Sequence, residues 1–345
     1  MGGAAGRARQ NHAAHRGEVV SASLILVAGV GAFAAFAGAR VGAAEAAWAI
    51  LAFSLLFLPL AALSVRGWID DLTRRLSPAP RLWAGGLLGI GIGLATSSAM
   101  LSGIPIARPV AWLAATGVAT LLLLGSSGAG ARPMDHPVRL ALTILVLWLP
   151  SELGVIHGLP LPAGTPGGSI EAGRLLLLDL GLLIFLVVAP LPDLGYTFRP
   201  RGRDWIAATT SLVAFAAVAI PLGLAIDFIR WQPEALQPVS WLVRGLAIYF
   251  LIAVPEELLF RGALQNLLEK RWPGRHARTG SLLVAAVVFG AAHLNNGAAP
   301  NWRYMLLASL AGVAYGWTWQ RTRRISASAL THAAVDWIWV TAFRA

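Results

Sequence analysis

A short stretch of charged side chains interrupts a long apolar run near the C-terminus of this sequence. Between residues 254 and 261, the ionisable residues are Glu256, Glu257 and Arg261. Insertion scales assign roughly 2.5 to 3.5 kcal/mol to one charge at the centre of a membrane helix, so such residues usually face a protein interior and serve a site. We therefore expect the rest of the chain to be a membrane scaffold that holds this segment.

Helical geometry predicts different roles for the two glutamates. Glu257 and Arg261 are four residues apart and share one helix face, where they can form an ion pair. Glu256 lies about 100° round the helix and points elsewhere, which leaves its carboxylate available for chemistry. Pro255 favours a kink or a fresh helix start, with Glu256 near the local N-terminus. The alternative is a structural charge cluster that joins two helices.

Two histidines inside later apolar runs extend this constellation. Phe289 precedes His293 by one helical turn and can buttress its imidazole, and His332 and Asp336 share a helix face at i,i+4 spacing. Counted along their helices, these residues and Glu256 converge near the middle of the membrane. Two histidines, an aspartate and a free glutamate on three helices are difficult to explain as helix packing alone.

The composition is that of a polytopic membrane protein. Hydrophobic residues make up 57% of the 345 positions and charged residues only 12%, with a mean hydropathy of +0.67. The chain has no cysteine, which excludes disulfides and thiol catalysis. We attribute the net charge of +11 to the positive-inside rule and expect no nucleic-acid partner.

The spacing of apolar windows predicts an all-α transmembrane bundle. Windows of membrane length recur about eleven times between residues 19 and 343, which indicates about eleven spans. Arginine-rich connections fall mainly on one side if the N-terminus is cytoplasmic. We predict a disordered basic tail at residues 1–17, N-terminal transmembrane helices of unassigned role at 18–200, and a core that carries the chemistry at 201–345.

Three ordered motifs in the last third of the chain resemble a known family. The patterns E-E-x-x-x-R, F-x-x-x-H and H-x-x-x-N/D occur in that order between about residues 240 and 341. Together they are similar to the CPBP family, which includes the CAAX proteases and the bacteriocin-processing Abi enzymes. Its members are glutamic-type intramembrane endopeptidases, so the resemblance implies a CPBP-like catalytic core in residues 201–345.

The resemblance also implies a role for each matching residue. Glu256 is then the general base that activates a water, His293 orients that water, and His332 and Asp336 bind the scissile carbonyl and stabilise the oxyanion. The residues that support the site are Glu257, Arg261 and Phe289. An asparagine in place of Asp336 can donate to an oxyanion, whereas an ionised aspartate repels it. Asp336 is therefore either protonated or accepts a hydrogen bond from His332 and fixes its tautomer.

The resemblance implies catalysis without a metal or cofactor. The expected partners are the lipid bilayer and a membrane-associated protein or peptide substrate, and the expected location is the bacterial inner membrane with a cytoplasmic N-terminus. The sequence leaves the oligomeric state open. Three alternatives remain: a zinc site built from the same glutamate, histidine and aspartate side chains, a proton-coupled membrane transporter, and a non-proteolytic bacteriocin-immunity or assembly protein.

Overall fold

The computed structural model describes residues 2–76, 79–101, 105–125, 136–155, 158–162, 170–199, 201–235, 238–297 and 300–344. Most of these residues are helical, as the apolar windows predict. The chain divides into two compact units. The N-terminal unit comprises residues 1–191 and 197–199, and the C-terminal unit comprises residues 192–196 and 200–345.

The N-terminal unit is built from helices with two very short strands. The helices are α1 (Gly2–Gly38), α2 (Ala43–Ala62), α3 (Arg66–Leu76), α4 (Pro80–Leu101), α5 (Ala107–Gly125), α6 (Pro137–Glu152) and α7 (Ala172–Leu183). Strands β1 (Pro160–Leu161) and β2 (Ile170–Glu171) pair antiparallel, and a π-helical turn continues α7. Helix α1 begins at Gly2, so the segment expected to be a disordered tail is helical and continuous with the first apolar run. The division of roles predicted for these parts stays a prediction.

The C-terminal unit carries all of the candidate chemistry. Its helices are α8 (Gly202–Ala225), α9 (Pro238–Ile248), α10 (Val254–Glu257), α11 (Asn266–Arg271), α12 (Ala277–Ala291), α13 (Trp302–Thr322) and α14 (Ile325–Ala342). Strands β3 (Arg230–Trp231) and β4 (Phe343–Arg344) pair antiparallel. Helix α13 packs against α8, α12 and α14, so it lies at the centre of this unit.

Three of the described helices are long and apolar enough to cross a membrane: Ala13–Gly38, Ala43–Ala62 and Gly202–Ala225. Shorter apolar helices include Ala107–Leu123 and Ala277–Ala291. An all-helical membrane protein is therefore confirmed, whereas the count of about eleven spans is not. One reason is that apolar windows do not map one to one onto helices. The window predicted at 239 to 268, for example, is divided into α9, α10, α11 and two π-helical segments.

The helical path from α9 to α11 is continuous through Pro255. A π-helical turn, Tyr249–Ala253, lies before the proline, and a second π-helical segment, Leu258–Gln265, follows Glu257. The backbone is right-handed helical at the joins between these segments. The missing N–H of Pro255 is thus accommodated next to a widened turn, and no fresh helix start occurs. Glu256 consequently does not lie at a helix N-terminus, contrary to our expectation.

Helices α12 and α13 approach each other closely through small residues. A Cβ placed on Gly290 would lie 2.5 Å from the carbonyl oxygen of Met305, and one on Gly312 would lie 2.9 Å from the Cα of Ala286. Small residues at such contacts let helix backbones pack directly in membrane proteins. The backbone of α13 is therefore fixed against the helix that leads to His293.

A buried ion pair anchors the start of α14, the helix that bears His332 and Asp336. The Nε of Arg324 lies 3.2 Å from Asp204, and both side chains are buried. Asp204 also accepts the backbone N–H of Arg201 at 2.9 Å, so it caps α8 as well. This pair was not predicted from the sequence.

Candidate active site

Glu257 and Arg261 form the ion pair that their spacing predicts. The Nε of Arg261 lies 3.2 Å from Oε2 of Glu257, and both side chains are fully buried. Arg261 also donates from Nη2 to the carbonyl oxygen of Gly312 at 3.1 Å, and its guanidinium carbon lies 4.6 Å from the ring centre of Phe289. The buried pair is thereby joined to α13.

His332 links this pair to the rest of the site. Its Nδ1 lies 2.9 Å from Oε1 of Glu257, and the two residues are 75 positions apart. Its Nε2 faces Asp336 at 3.4 Å and Glu256 at 3.8 Å. A carboxylate held in an ion pair with Arg261 can only accept a hydrogen bond, so Nδ1 carries a proton. Glu257 is thus the carboxylate that fixes the tautomer of His332, a function we had considered for Asp336.

Ser328 completes the surroundings of Glu257. Its hydroxyl lies within hydrogen-bonding distance of Oε2 of Glu257 and of the carbonyl oxygen of Tyr315. With Arg261, His332 and Ser328, Glu257 therefore has partners on both carboxylate oxygens. A carboxylate with partners on both oxygens is held in one orientation, which is consistent with a structural role for Glu257.

Glu256 differs from its neighbour in both exposure and bonding. Its side chain is 31% exposed, whereas that of Glu257 is fully buried. The Oε2 oxygen of Glu256 has no hydrogen-bond partner among the described residues. A partly accessible carboxylate with a free oxygen next to an imidazole can take a proton from a bound water.

His293 lies close enough to Glu256 for the two to interact electrostatically. Its Nδ1 is 2.8 Å from the carbonyl oxygen of Phe289. Because a carbonyl oxygen only accepts, Nδ1 carries a proton and Nε2 remains for another partner. The ring centres of Phe289 and Tyr304 each lie 4.8 Å from the imidazole. Phe289 therefore buttresses His293 as its spacing predicted, through both its backbone and its ring.

The structure brings all seven predicted site residues together in the C-terminal unit. Sequence reasoning missed the residues that connect them: Tyr304, Gly312, Tyr315 and Ser328. Tyr315 stacks on His332, with ring centres 4.4 Å apart and an interplanar angle of 13°. A signal for it existed, because a buried tyrosine on an apolar helix needs a polar or aromatic partner. The sequence contained no information on which partner that is.

No group of three or more histidine, aspartate or glutamate side chains among the described residues is arranged to hold a metal ion. The carboxylates of Glu256, Glu257 and Asp336 surround the imidazole of His332, which is bonded to Glu257 through Nδ1 and faces the other two with Nε2. This arrangement supports proton transfer and hydrogen bonding as the chemistry of the site.

A family model of known proteins matches the region that contains this site. Residues 238–338 match the family model of the type II CAAX prenyl endopeptidases, Rce1-like. The match confirms the resemblance to the CAAX proteases, and all seven predicted site residues fall within it. The N-terminal unit lies outside the matched residues. Searches of curated proteins and of solved structures gave no match.

Proposed function

We propose that this protein is a glutamic intramembrane endopeptidase of the CAAX type, which hydrolyses a peptide bond of a membrane-associated protein or peptide. The Rce1-like match supports CAAX-type endopeptidase activity. The single observation that carries the mechanism is the contrast between two adjacent glutamates. Glu257 is buried and fully bonded, whereas Glu256 is partly exposed with a free oxygen facing the site.

In the proposed reaction, Glu256 is the general base. A water bound between Glu256 and Nε2 of His293 gives its proton to the carboxylate and attacks the scissile carbonyl carbon. The Nδ1–H bond to Phe289 leaves that Nε2 free to accept from the water. When the tetrahedral intermediate collapses, Glu256 returns the proton to the departing amide nitrogen. Atoms and charges balance with no further reactant.

His332 is proposed to stabilise the oxyanion. Carboxylates face both of its ring nitrogens, an arrangement suited to a ring that carries a proton on each. The Nε2–H can then donate to the carbonyl oxygen as negative charge develops there. In the resting site it points to Asp336, so substrate binding must displace that contact. Asp336 then serves as the acceptor that holds the proton on Nε2 until the carbonyl arrives.

The remaining residues give this arrangement its rigidity. Glu257, with Arg261, holds Nδ1 of His332, and the carbonyl oxygen of Phe289 holds Nδ1 of His293. We propose that the reaction needs no metal, because the carboxylate of Glu257 is already held by Arg261, Ser328 and Nδ1 of His332. We further propose a bacterial inner-membrane location, a cytoplasmic N-terminus and additional spans formed by the shorter apolar helices.

The decisive experiment is peptide cleavage by the purified protein in nanodiscs, with a library of membrane-anchored peptides as substrate. Glu256→Gln removes the base with almost no change in shape, and we expect kcat to fall by about 10²- to 10⁴-fold. Glu234→Gln is the matched control, because its side chain is 27% exposed and lies in the loop between β3 and α9. We expect it to cleave at the wild-type rate.

Addition of EDTA distinguishes the metal-dependent alternative. Wild-type cleavage that is unchanged by EDTA, together with loss of cleavage in Glu256→Gln, supports the proposal. Inhibition by EDTA that zinc reverses would replace it with a metalloprotease. Full activity of Glu256→Gln would show that this glutamate is structural and would refute the mechanism.

A further inference from the structure

Helix α13 contributes no residue to the motifs, yet it carries two tyrosines that contact both histidines of the site. The chain has only four tyrosines, and Tyr304 and Tyr315 are the two on this helix. Eleven residues correspond to about three helical turns, so these side chains leave the same face about 20° apart. They are separated by roughly 16 Å along the axis. One face of α13 can therefore reach two separate parts of the site.

Tyr315 contacts the oxyanion-side histidine. Its ring is nearly parallel to that of His332, with centres 4.4 Å apart, and the tyrosine is 1% exposed. Phe289 meets the same imidazole edge-on at 5.7 Å. An aromatic face against an imidazole that carries two protons is also favourable electrostatically.

Tyr304 contacts the water-side histidine. Its ring centre lies 4.8 Å from that of His293. Its own position is fixed at the start of α13, where the side chain of Asn301 accepts the backbone N–H of Tyr304 at 3.0 Å. Trp339 of α14 packs edge-on against Tyr304 at 5.0 Å. Tyr304 is thus held by two elements and in turn contacts His293.

These contacts supply a constraint that the hydrogen bonds do not. Each imidazole is fixed at Nδ1, by Glu257 for His332 and by Phe289 for His293. A bond at Nδ1 holds a proton there but lets the ring tilt about that bond, because the terminal torsion of histidine is broad. The contact of Nε2 of His332 with Asp336 at 3.4 Å must be displaced by substrate in the proposed reaction, so it does not limit the tilt at that stage. A ring packed against the imidazole limits this tilt and hence the direction of Nε2.

The backbone of α13 is rigid enough to transmit this constraint. Gly312 approaches the backbone of α12, and its carbonyl oxygen accepts a bond from Arg261. One turn later, the carbonyl oxygen of Gly316 accepts a bond from Gln265 at 3.3 Å. Two residues of the helix path that bears Glu256 are therefore bonded to the segment of α13 that carries Tyr315.

We propose that α13 is a histidine-positioning helix, in which the ring of Tyr315 orients His332 and the ring of Tyr304 orients His293. The two tyrosines are positioning residues, because they act through the histidines. Their role rests on the proposed proteolysis, but it makes a separate structural claim about the imidazoles. The ring is the essential part of each tyrosine, and the hydroxyl is not.

The test compares leucine and phenylalanine at each position. Tyr315→Leu and Tyr304→Leu should each lower kcat by about tenfold to a hundredfold, with KM within about twofold, because a misdirected Nε2 affects the transition state more than substrate binding. Tyr315→Phe and Tyr304→Phe keep the ring and should restore kcat to within about threefold of wild type. The pH dependence of kcat should change in the leucine variants and match wild type in the phenylalanine variants.

Imidazole ¹⁵N NMR measures the positioning directly. In wild type, each histidine should give one sharp pair of ring-nitrogen signals, and each leucine variant should broaden or split the signals of its own histidine only. Tyr249→Leu is the control for loss of a partly buried tyrosine of the same unit, whose hydroxyl bonds to the carbonyl oxygen of Ser326. It should leave both imidazole signals unchanged.

The outcomes separate this inference from the proposed function. Unchanged imidazole signals and kcat in both leucine variants would refute the positioning role, whatever the wild-type activity. Phenylalanine variants as impaired as leucine variants would also refute it, because the hydroxyl would then be essential. If the leucine variants perturb their imidazole signals while the wild-type protein cleaves no peptide, the positioning role is upheld and the proteolysis is refuted.

Discussion

Buried hydroxyl groups join separate helices in the C-terminal unit, in contrast to several hydroxyl groups of the N-terminal unit. In the N-terminal unit, Ser54, Thr120 and Thr143 each donate to a carbonyl oxygen one turn earlier in their own helix. In the C-terminal unit, Ser211 donates to the carbonyl oxygen of Ala314 on another helix, and Ser328 reaches both Glu257 and Tyr315. Both units contain hydroxyls that donate within their own helix, such as Thr318 and Thr322 of the C-terminal unit. In the N-terminal unit Ser97 accepts from Trp48 of another helix at an exposed position, whereas Ser211 and Ser328 join helices through buried bonds.

Glycines show a related difference, because the tight contacts of Gly29, Gly91 and Gly117 in the N-terminal unit are with side chains and not with a helix backbone. Gly86, Gly89 and Gly93 of α4 have no atom within 4 Å of a Cβ placed on them. Gly290 and Gly312 of the C-terminal unit face the backbone of a neighbouring helix within 3 Å. An added methyl group would meet lipid or open space in the first case and a rigid backbone in the second.

The contrast indicates how each unit holds its helices. Helices that satisfy their own polar groups associate through apolar packing, which tolerates small shifts. Helices joined by hydrogen bonds and direct backbone contact have a fixed register, which a catalytic site needs because its groups must be held to within about 0.5 Å. We therefore predict that equivalent substitutions have different effects in the two units.

The largest difference is expected for arginines in ion pairs. Arg261→Leu leaves the carboxylate of Glu257 buried without its counter-charge, and we expect it to cost about 3–5 kcal/mol of stability. Arg74→Leu removes an arginine whose pair with Asp71 is exposed, and we expect less than about 1 kcal/mol. Unfolding by SDS in mixed micelles measures both values. Equal costs would contradict the proposed rigidity of the C-terminal unit.

Glycine substitutions test the backbone contacts. Gly290→Ala places a methyl group 2.5 Å from the carbonyl oxygen of Met305, and we expect a loss of about 2–3 kcal/mol, with lower activity as His293 shifts. Gly89→Ala meets nothing and replaces a poor helix former, so a gain of up to about 1 kcal/mol is expected. Thermal unfolding in detergent measures the pair. Destabilisation of similar size in both variants would show that glycine contacts do not distinguish the two units.

Serine substitutions sharpen the contrast in hydrogen bonding. Ser328→Ala removes a hydroxyl from the buried carboxylate of Glu257, and we expect a loss of about 1.5 kcal/mol and reduced kcat. Ser54→Ala removes only a bond to the preceding turn, which slightly disfavours a helix, so we expect a change below about 0.5 kcal/mol. SDS unfolding and peptide cleavage are the measurements. A neutral Ser328→Ala would mean that Arg261 and His332 satisfy Glu257 alone.

The smallest effect is expected at the end of the C-terminal unit, where Glu234 contacts Arg244 and Arg344. The bond to Arg344 lowers the pKa of Glu234 below its ordinary value. A carboxyl with a lowered folded-state pKa stabilises the fold at neutral pH, and this contribution disappears as the pH falls through that lowered value. The protection of the β4 amides against hydrogen exchange, relative to the unfolded chain, should therefore decrease only in this acid range. In Glu234→Gln, the β4 amides should already show the lower protection at neutral pH, and this protection should no longer change in the acid range.

Local spacing accounts for the parts of the site that were predictable. The pairs Glu257 with Arg261, Phe289 with His293 and His332 with Asp336 are each four residues apart, and all three are in contact. The helical period alone brings such residues together. Apolar composition likewise determined an all-helical membrane protein, because the bilayer interior requires every backbone group to be bonded within its segment.

Tertiary structure decided which of these pairs meet and what each one does. The bond from His332 to Glu257 and the stacking of Tyr315 on His332 join separate helices, and no spacing rule relates their positions. The pairing of Arg324 with Asp204 is of the same kind. Pro255 was expected to cause a kink or a fresh helix start, but the helical backbone continues through it with a π-helical turn on each side. The sequence by itself thus determined the contacts that one helix can make, whereas contacts between helices depend on their relative rotation and depth, which only the packed structure sets.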